Sequence, residues 1–419
     1  MKLIYLMSII SLRDSQMDKL KILFVHHANS LGGAPLSMVK TIQNLNPTLY
    51  SVEVLLFKDS PVKSLLDREG IRNSVISHKF YKNYYNYFTH IEPYYIRWYQ
   101  IHTMVKHVLI WLLSRYFFSY IVLGKYDYDI VHFNSSVLTD WLSAGKKFGK
   151  TIIHIREPLA RGYLGFRKFV FRMQMKLYAD TIIAISEDNA NRVKLPKQTK
   201  VVYNFNEIDC EINKDGATAS PRTAIYMGGG ALIKGFLTMV ESLDYLEDDI
   251  KIIFCGHFPK TIYETGNSNK LVYLKNKVKS LSPKQRNIEK ALKMIRNHKN
   301  VEFIGFSTQT NTLLRRSSFL VNPFLVTHFS RPIIEAFSNK RTVVSTNVEG
   351  MNEIVRNGID GLLVPRNNPK ELAKSINWLC NNPELSMKMG NEGYMVAKKY
   401  FSEKNILKIQ EIYDSYRKV

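Results

Sequence analysis

The sequence predicts an α/β protein with two Rossmann-like parallel-sheet domains. Three observations carry that prediction. Short apolar runs alternate with helical patterns along nearly the whole chain, the rhythm of parallel strands joined by crossover helices. The series halts at a polar stretch, 207–222, holding Gly216 and Pro221, and then restarts. The chain has 419 residues, 45% hydrophobic and 23% charged, enough for two full cores. The expected division is an extension at 1–16, a first domain at 17–206, a linker at 207–222, a second domain at 223–400 and a closing helix at 401–419.

Residues 1–16 resemble a weak signal peptide without a clear small-residue cleavage site, and Met17 is the expected start of the folded chain. Lys21 to Val25 reads as a buried strand, His26 to Pro35 as a loop and Leu36 to Leu45 as a helix. Gly32 and Gly33 in that loop would let backbone approach a phosphate or sugar closely, although the G-x-G-x-x-G pattern of dinucleotide sites is absent. Ser51 to Phe57 is a strand and Pro61 to Glu69 a helix. Phe80 to Tyr126 is dense in aromatic and basic residues. It suits either a core helix with a Tyr-rich surface or a membrane interface. Strands follow at Asp129 to Phe133, Thr151 to Ile155, Thr181 to Ile185 and Lys200 to Tyr203. Tyr163 to Tyr178 is a basic amphipathic helix, and Ser186 caps another, with acids in its first turn. His154 and Arg156 both lie near the end of a central strand.

In the second series, Thr223 to Met227 is a strand and Gly228-Gly229-Gly230 a loop. Lys234-Gly235 leads a helix reaching Leu246. Ile250 to Phe254 is a strand. Phe258 to Asn300 is long, polar and basic, and reads as an insertion whose charged helix faces solvent. Val301 to Ile304 and Phe319 to Asn322 are strands flanking a helix with Arg315-Arg316. A polar loop then leads to Glu335, read as a carboxylate at a helix start, where the dipole favours it. Thr342 to Ser345, a small helix around Glu353, and helices at Pro369 to Leu379, Pro383 to Tyr400 and Asn405 to Tyr416 complete the chain.

Formal net charge is +23, which favours anionic partners. Nucleic acid is not the expected partner, since no RNA- or DNA-binding signature appears. Three separated cysteines, Cys210, Cys255 and Cys380, form neither a disulfide framework nor a zinc site. Asp127-Tyr128-Asp129 has the form of a metal-binding D-x-D motif but reads as a solvated loop before a strand. Asn29-Ser30 and Asn134-Ser135-Ser136 read as plain loop residues.

Several motifs in order carry a resemblance. They are Gly228 with Lys234-Gly235, V-E-F-I-G-F at Val301 to Phe306, S-R-P-I-I-E-A at Ser330 to Ala336, and V-E-G-M-N-E-I-V-R-N-G-I-D-G-L-L-V-P at Val348 to Pro365. P-K-E-L-A at Pro369 and M-G-N at Met389 continue the set. The second half resembles glycosyltransferase family 4 (glycosyl transferases group 1). The whole chain resembles the GT-B architecture, two Rossmann-like domains facing across a cleft. Gly32-Gly33-Ala34, D-I-V-H at Asp129 and A-D-T-I-I-A-I-S at Ala179 match that family loosely.

The resemblance implies retaining transfer of a hexose-type sugar from a UDP- or GDP-linked donor to a glycan or lipid-linked glycan, with no bound metal and no cofactor. Lys234 takes the role of the cation facing the departing diphosphate, and Glu335 that of the carboxylate holding the ribose hydroxyls. The family's arginine five positions before the lysine is replaced by Gly229, and Arg331 or another basic residue is the expected substitute. The first glutamate of the family's pair is replaced by Thr327, followed by His328. Gly350, Met351, Asn352 and Glu353 resemble the donor-sugar and phosphate cradle, and Ile304 and Gly305 the loop that meets the base. Gly32 and Gly33 are expected to face the diphosphate. Either His154 or Arg156 matches the family's histidine at the donor sugar, and no general base stands out. The stretch from Thr327 to Arg331 is the expected seat of sugar choice. The same resemblance implies a role in cell-surface polysaccharide synthesis, in the cytoplasm or peripherally on the inner face of an anionic membrane. A sugar-nucleotide epimerase or hydrolase, and a nonenzymatic nucleotide-sugar binder, are the alternative readings.

Overall fold

The computed structural model describes residues 18–27, 29–85, 101–159, 165–206, 208, 220–258, 283–327 and 329–417. The chain forms two compact units. One runs to Asn204 and includes Lys404 onward; the other is Phe205–Glu403. The expected extension, Cys210, His328 and almost all of the expected linker lie outside the described residues.

The first unit holds seven parallel strands: β1 (Leu20–His26), β2 (Tyr50–Leu56), β3 (Asn73–Val75), β4 (Ile130–Phe133), β5 (Lys150–Ile155), β6 (Thr181–Ala184) and β7 (Thr199–Val201). Their order is β3-β2-β1-β4-β5-β6-β7. The central strands are continuous apolar runs because helices cover both faces of such a sheet. Ile22, Phe24, Ile130, Val131, Ile152 and Ile153 are accordingly buried. Trp141, with Phe57 and Tyr81 packed on its indole, anchors the core. The strand β3 has only three residues, too few to show a pattern in the sequence. The loop reading of Asp127 to Asp129 fits the structure: the exposed Asp127 pairs with Lys21, and Asp129 accepts from the Lys21 amide at 2.8 Å.

The last helix, Asn405–Asp414, packs on this first unit and does not stand as a separate closing segment. It buries Ile409 and Tyr413, and the Tyr50 hydroxyl donates to Asp414 at 2.8 Å. Its periodicity revealed an apolar face but not which core would take it.

The second unit holds β8 (Thr223–Tyr226), β9 (Lys251–Cys255), β10 (Val301–Gly305), β11 (Phe319–Asn322), β12 (Thr342–Thr346) and β13 (Gly361–Val364). They are all parallel, in the order β10-β9-β8-β11-β12-β13. One expectation changes here. The helix Pro283–Asn297 exposes Lys290, Lys293 and Arg296 as expected, but it is more than a solvated face, because it buries Ile288, Leu292 and Ile295 in the core around Phe254 and Phe236. Its charges hid a narrow apolar stripe. The M-G-N motif is a packing device. A Cβ at Gly390 would lie 2.3 Å from the Lys340 carbonyl oxygen, and one at Gly393 would lie 2.4 Å from the Phe337 ring. The helix Pro383–Tyr400 thereby approaches the end of the helix Arg331–Ser338 closely.

Candidate functional site

In parallel α/β sheets ligands bind beyond the carboxyl ends of the strands, where the strand order reverses. In the second unit that point lies between β8 and β11, because β9 and β10 extend to one side and β12 and β13 to the other. The loops leaving β8 and β11 carry Lys234 and Ser330 to Glu335. They are tied together, with Leu325 N–H donating to the Ile233 carbonyl at 2.9 Å. Gly235 has φ +75°, and a Cβ there would lie 1.8 Å from the Pro323 carbonyl oxygen, so only glycine lets the two loops meet.

Lys234 ends a short 3₁₀ turn, Leu232–Lys234, and is half-buried. Among the described residues its amine has no hydrogen-bond or ion-pair partner, and burial lowers its pKa from the ordinary lysine value. A desolvated cation without a counter-charge is costly unless an anion arrives to pair with it.

Glu335 is not at the helix start. The helix Arg331–Ser338 begins after Ser330, whose hydroxyl donates to Asn322 Oδ1 at 3.0 Å, and Glu335 lies in its second turn, buried. Its Oε1 accepts from Arg331 Nε at 2.8 Å, with both side chains largely shielded. The residue expected to replace a missing phosphate-binding charge is therefore held by the residue expected to bind ribose. Spacing of four along one helix allowed this pair, but the sequence did not show that Arg331 would turn back along the helix.

The glycines of the β8 loop serve the loop itself. Gly229 has φ +59°, and a Cβ on it would lie 2.4 Å from the His257 carbonyl oxygen; one on Gly228 would meet the Tyr226 hydroxyl at 2.1 Å. Tyr226 donates to the Gly229 carbonyl at 3.0 Å, and Gly229 N–H donates to the Cys255 carbonyl at 3.1 Å. An arginine at 229 would not fit this backbone. Beyond β9 and β10 the exposed His257 and Phe306 rings stack at 4.1 Å between centroids, beside Ile304 and Gly305, whose φ is +77°. Thr327 is half-buried and Asn352 exposed, while Glu353 and Gly350 are half-buried. Met351 is fully buried, its sulfur 3.5 Å from the Ser345 hydroxyl, so its side chain belongs to the core.

The first unit carries a buried polar network at the carboxyl ends of β1, β4 and β5. Arg156 Nε donates to Asn134 Oδ1 at 2.6 Å, and a terminal guanidinium nitrogen donates to Asn204 Oδ1 at 2.9 Å. Asn134 Nδ2 lies 3.0 Å from His26 Nδ1. His154 does not share that cluster directly. Its Nδ1 lies 3.2 Å from His132 Nε2, and His132 Nδ1 lies 2.7 Å from the Tyr413 hydroxyl. Burial, reinforced by the Arg156 charge, pushes His26, His132 and His154 well below the ordinary histidine pKa, so all three rings are neutral. Glu157 accepts from Ser135 at 2.9 Å; burial raises its pKa against the opposing charges of His27 and Arg156. The sequence reading missed His26, Asn134 and Glu157. Each lies one or two residues past an apolar run, but only the strand order β1-β4-β5 brings them together.

At Gly32 and Gly33, where the helix Gly33–Gln43 begins, a Cβ would meet nothing within 4 Å. Space is open there, in contrast to Gly228 and Gly229.

Residues 208–396 match the sequence model of the family described as Glycosyl transferases group 1. An uncharacterised glycosyltransferase of Methanocaldococcus jannaschii is 24% identical over 238 residues, 56% of this chain and 60% of the relative. The putative glycosyltransferase EpsD of Bacillus subtilis is 25% identical over 117 residues, 28% of this chain and 31% of EpsD. The matches thus span under two thirds of these relatives' lengths. Among solved structures, Anabaena HepE in complex with UDP-glucose superposes with a TM-score of 0.69 at 19% identity, covering 94% of this chain and 100% of HepE. Sucrose-phosphate synthase from Thermosynechococcus elongatus gives 0.63 at 16% identity, covering 95% and 99%. These similarities show the fold.

Proposed function

We propose that this chain, whose residues 208–396 match the group 1 glycosyl transferase model and whose fold is that of GT-B proteins, transfers a sugar from a nucleotide-sugar donor to a glycan acceptor. The observation that carries the proposal is Lys234, a desolvated amine without a partner among the described residues, beside the loop that leads to Arg331 and Glu335 at the β8/β11 switch point. An incoming diphosphate supplies the missing counter-charge, and the amine stabilises the negative charge that grows as the sugar–phosphate bond breaks. That assigns leaving-group stabilisation to a side chain, in keeping with a metal-independent reaction. The shielded Glu335 carboxylate, oriented by Arg331, is the acceptor for ribose hydroxyls. The stacked His257–Phe306 pair offers a flat face to the base.

The donor is a hexose joined to UDP or GDP, transferred with retention, and the product belongs to a surface polysaccharide assembled on a lipid-linked glycan. The family match and the HepE complex with UDP-glucose support a nucleotide-sugar donor. In the first unit, neutral imidazoles, Asn134 and Arg156 form a set suited to sugar hydroxyls.

The test is mass spectrometry of UDP-, GDP- and ADP-sugars incubated with the chain and a panel of glycan acceptors, with and without chelator, and with Lys234→Ala as control. Transfer by the wild type alone is expected. Conversion of the donor without an acceptor product would instead favour an epimerase or hydrolase. Tight nucleotide binding without any turnover would favour a nonenzymatic binder.

A further inference from the structure

The first unit exposes an apolar surface on two helical segments that neither its core nor the proposed reaction uses. The first is continuous from Ile101–Leu113 through a π turn, Ser114–Phe118, to Ser119–Leu123. One face packs inward through Ile110, Ser114, Arg115, Ser119 and Leu123. The opposite face leaves Leu109, Leu113, Tyr116, Phe117 and Ile121 exposed, Phe117 at 61%. The wide π turn resets the helical phase, which keeps Ile121 on the same outward face as Leu109. The second segment is the helix Phe166–Tyr178, which exposes Phe166, Phe169, Met173 and Leu177, Phe166 at 67%.

Arg115 ties the two together. Its guanidinium donates to the Tyr178 hydroxyl at 3.1 Å and lies 4.9 Å from the Tyr116 ring centroid and 4.8 Å from that of Tyr178. Charge is one-sided: Lys106, Lys125, Arg167, Lys168, Arg172 and Lys176 lie on or beside these segments. No acidic residue occurs from Ile101 to Lys125 or from Phe166 to Tyr178.

We infer that these two segments form one docking face for an anionic lipid bilayer. The stretch Val105–Leu123 is long and apolar enough to cross a membrane. Its inner face, however, is committed to the core of the unit along most of its length, which fits a helix lying in the interface plane. Exposed aromatic and aliphatic side chains beside basic ones match the acyl and headgroup layers of such a surface. A second copy of the chain fits less well, because a two-fold contact would set the same basic residues against each other.

The inference does not rest on the transfer reaction, and its test is read without turnover. Full-length chain is floated with vesicles of phosphatidylcholine alone or with phosphatidylglycerol, at low and high salt. Strong partitioning to the anionic vesicles is expected, weakening with salt. Loss of one basic residue, as in Lys168→Glu or Lys176→Glu, should lower partitioning about fivefold or more. Phe117→Asp and Phe169→Asp should each lower it by at least about tenfold with the melting temperature unchanged. A chain that stays with the soluble fraction on anionic vesicles at low salt overturns the inference, as does unchanged flotation of both aspartate variants. A wild type that is dimeric by light scattering, becomes monomeric with Phe117→Asp and never floats would assign the face to self-association instead.

Discussion

The carboxyl-end rims of the two sheets are built on opposite plans. In the first unit, side chains hold side chains: Arg156, Asn134, Asn204 and His26 form a network in which each member is positioned by another. In the second, backbone lies against backbone. Gly229 and Gly235 let three loops approach more closely than a Cβ permits, and the one lysine among them is left without a partner among the described residues. A rim of interlinked polar side chains is suited to presenting fixed hydrogen-bonding directions. A rim of close-packed backbone around a desolvated charge is suited to receiving an anion. The difference shows that two sheets of the same topology class can carry rims of different chemistry.

The largest test removes the lone charge. Lys234→Met should lower turnover by about 10²–10³, measured as transfer from the preferred donor. The same substitution should raise the melting temperature of the ligand-free chain by about 2 °C. The sign follows from the lowered lysine pKa. The folded state binds the proton less well than the unfolded chain, so the charge penalty is full at neutral pH and fades as pH rises toward the unfolded lysine value. A chain that melts lower with methionine at 234 would show that the amine is stabilised within the fold, and the contrast between the rims would fail.

Glu335→Ala leaves the shielded Arg331 charge without its carboxylate and should cost about 3 kcal/mol in urea unfolding. Pairing it with Arg331→Met should restore most of that stability but not donor binding. Recovery of both would reduce the pair to a structural role.

The glycines sharpen the comparison within one experiment. Gly229→Ala, at φ +59° and with its Cβ 2.4 Å from a carbonyl oxygen, should destabilise by about 2 kcal/mol or more. Gly32→Ala, with nothing within 4 Å, should change unfolding by less than about 0.5 kcal/mol. Equal effects would contradict the close-packed account of the second rim.

A pH-dependent test lies deeper in the first unit. Asp140 is fully buried, accepts from Tyr85 at 2.9 Å and from Ser114, and burial raises its pKa to about 7. The stability this protonated group supplies is complete below the unfolded aspartate value near 4 and is lost as pH rises through about 7. The unfolding free energy of Asp140→Asn relative to the wild type should therefore rise by about 3 kcal/mol from pH 5 to pH 8, with the gap closing toward pH 5. A gap that is constant with pH would remove the titration of Asp140 as its cause.

Much of the architecture was legible because buried parallel strands are written as apolar runs: β1, β4, β5, β9, β11 and β12 all appear so. The strand β3, too short for a pattern, did not. Lys234 could be singled out only through the resemblance carried by the motif from Gly228 to Gly235, and Glu335 through its place in a helical pattern after a strand and a loop. The polar network around Asn134 could not, because its members are scattered along the chain and only the strand order β1-β4-β5 gathers them.

By itself, then, the sequence determined two α/β series, the positions of the strand-end loops, and an excess of positive charge, since these depend on local periodicity and composition. Tertiary structure alone decided that Arg331 turns to Glu335, that Gly229 is filled against by the β9 loop, that the last helix packs on the first unit, and which face of the helix from Val105 to Leu123 is left uncovered. Each of these depends on distances between residues far apart in the chain or on a side chain's choice between partners, and local sequence carries neither.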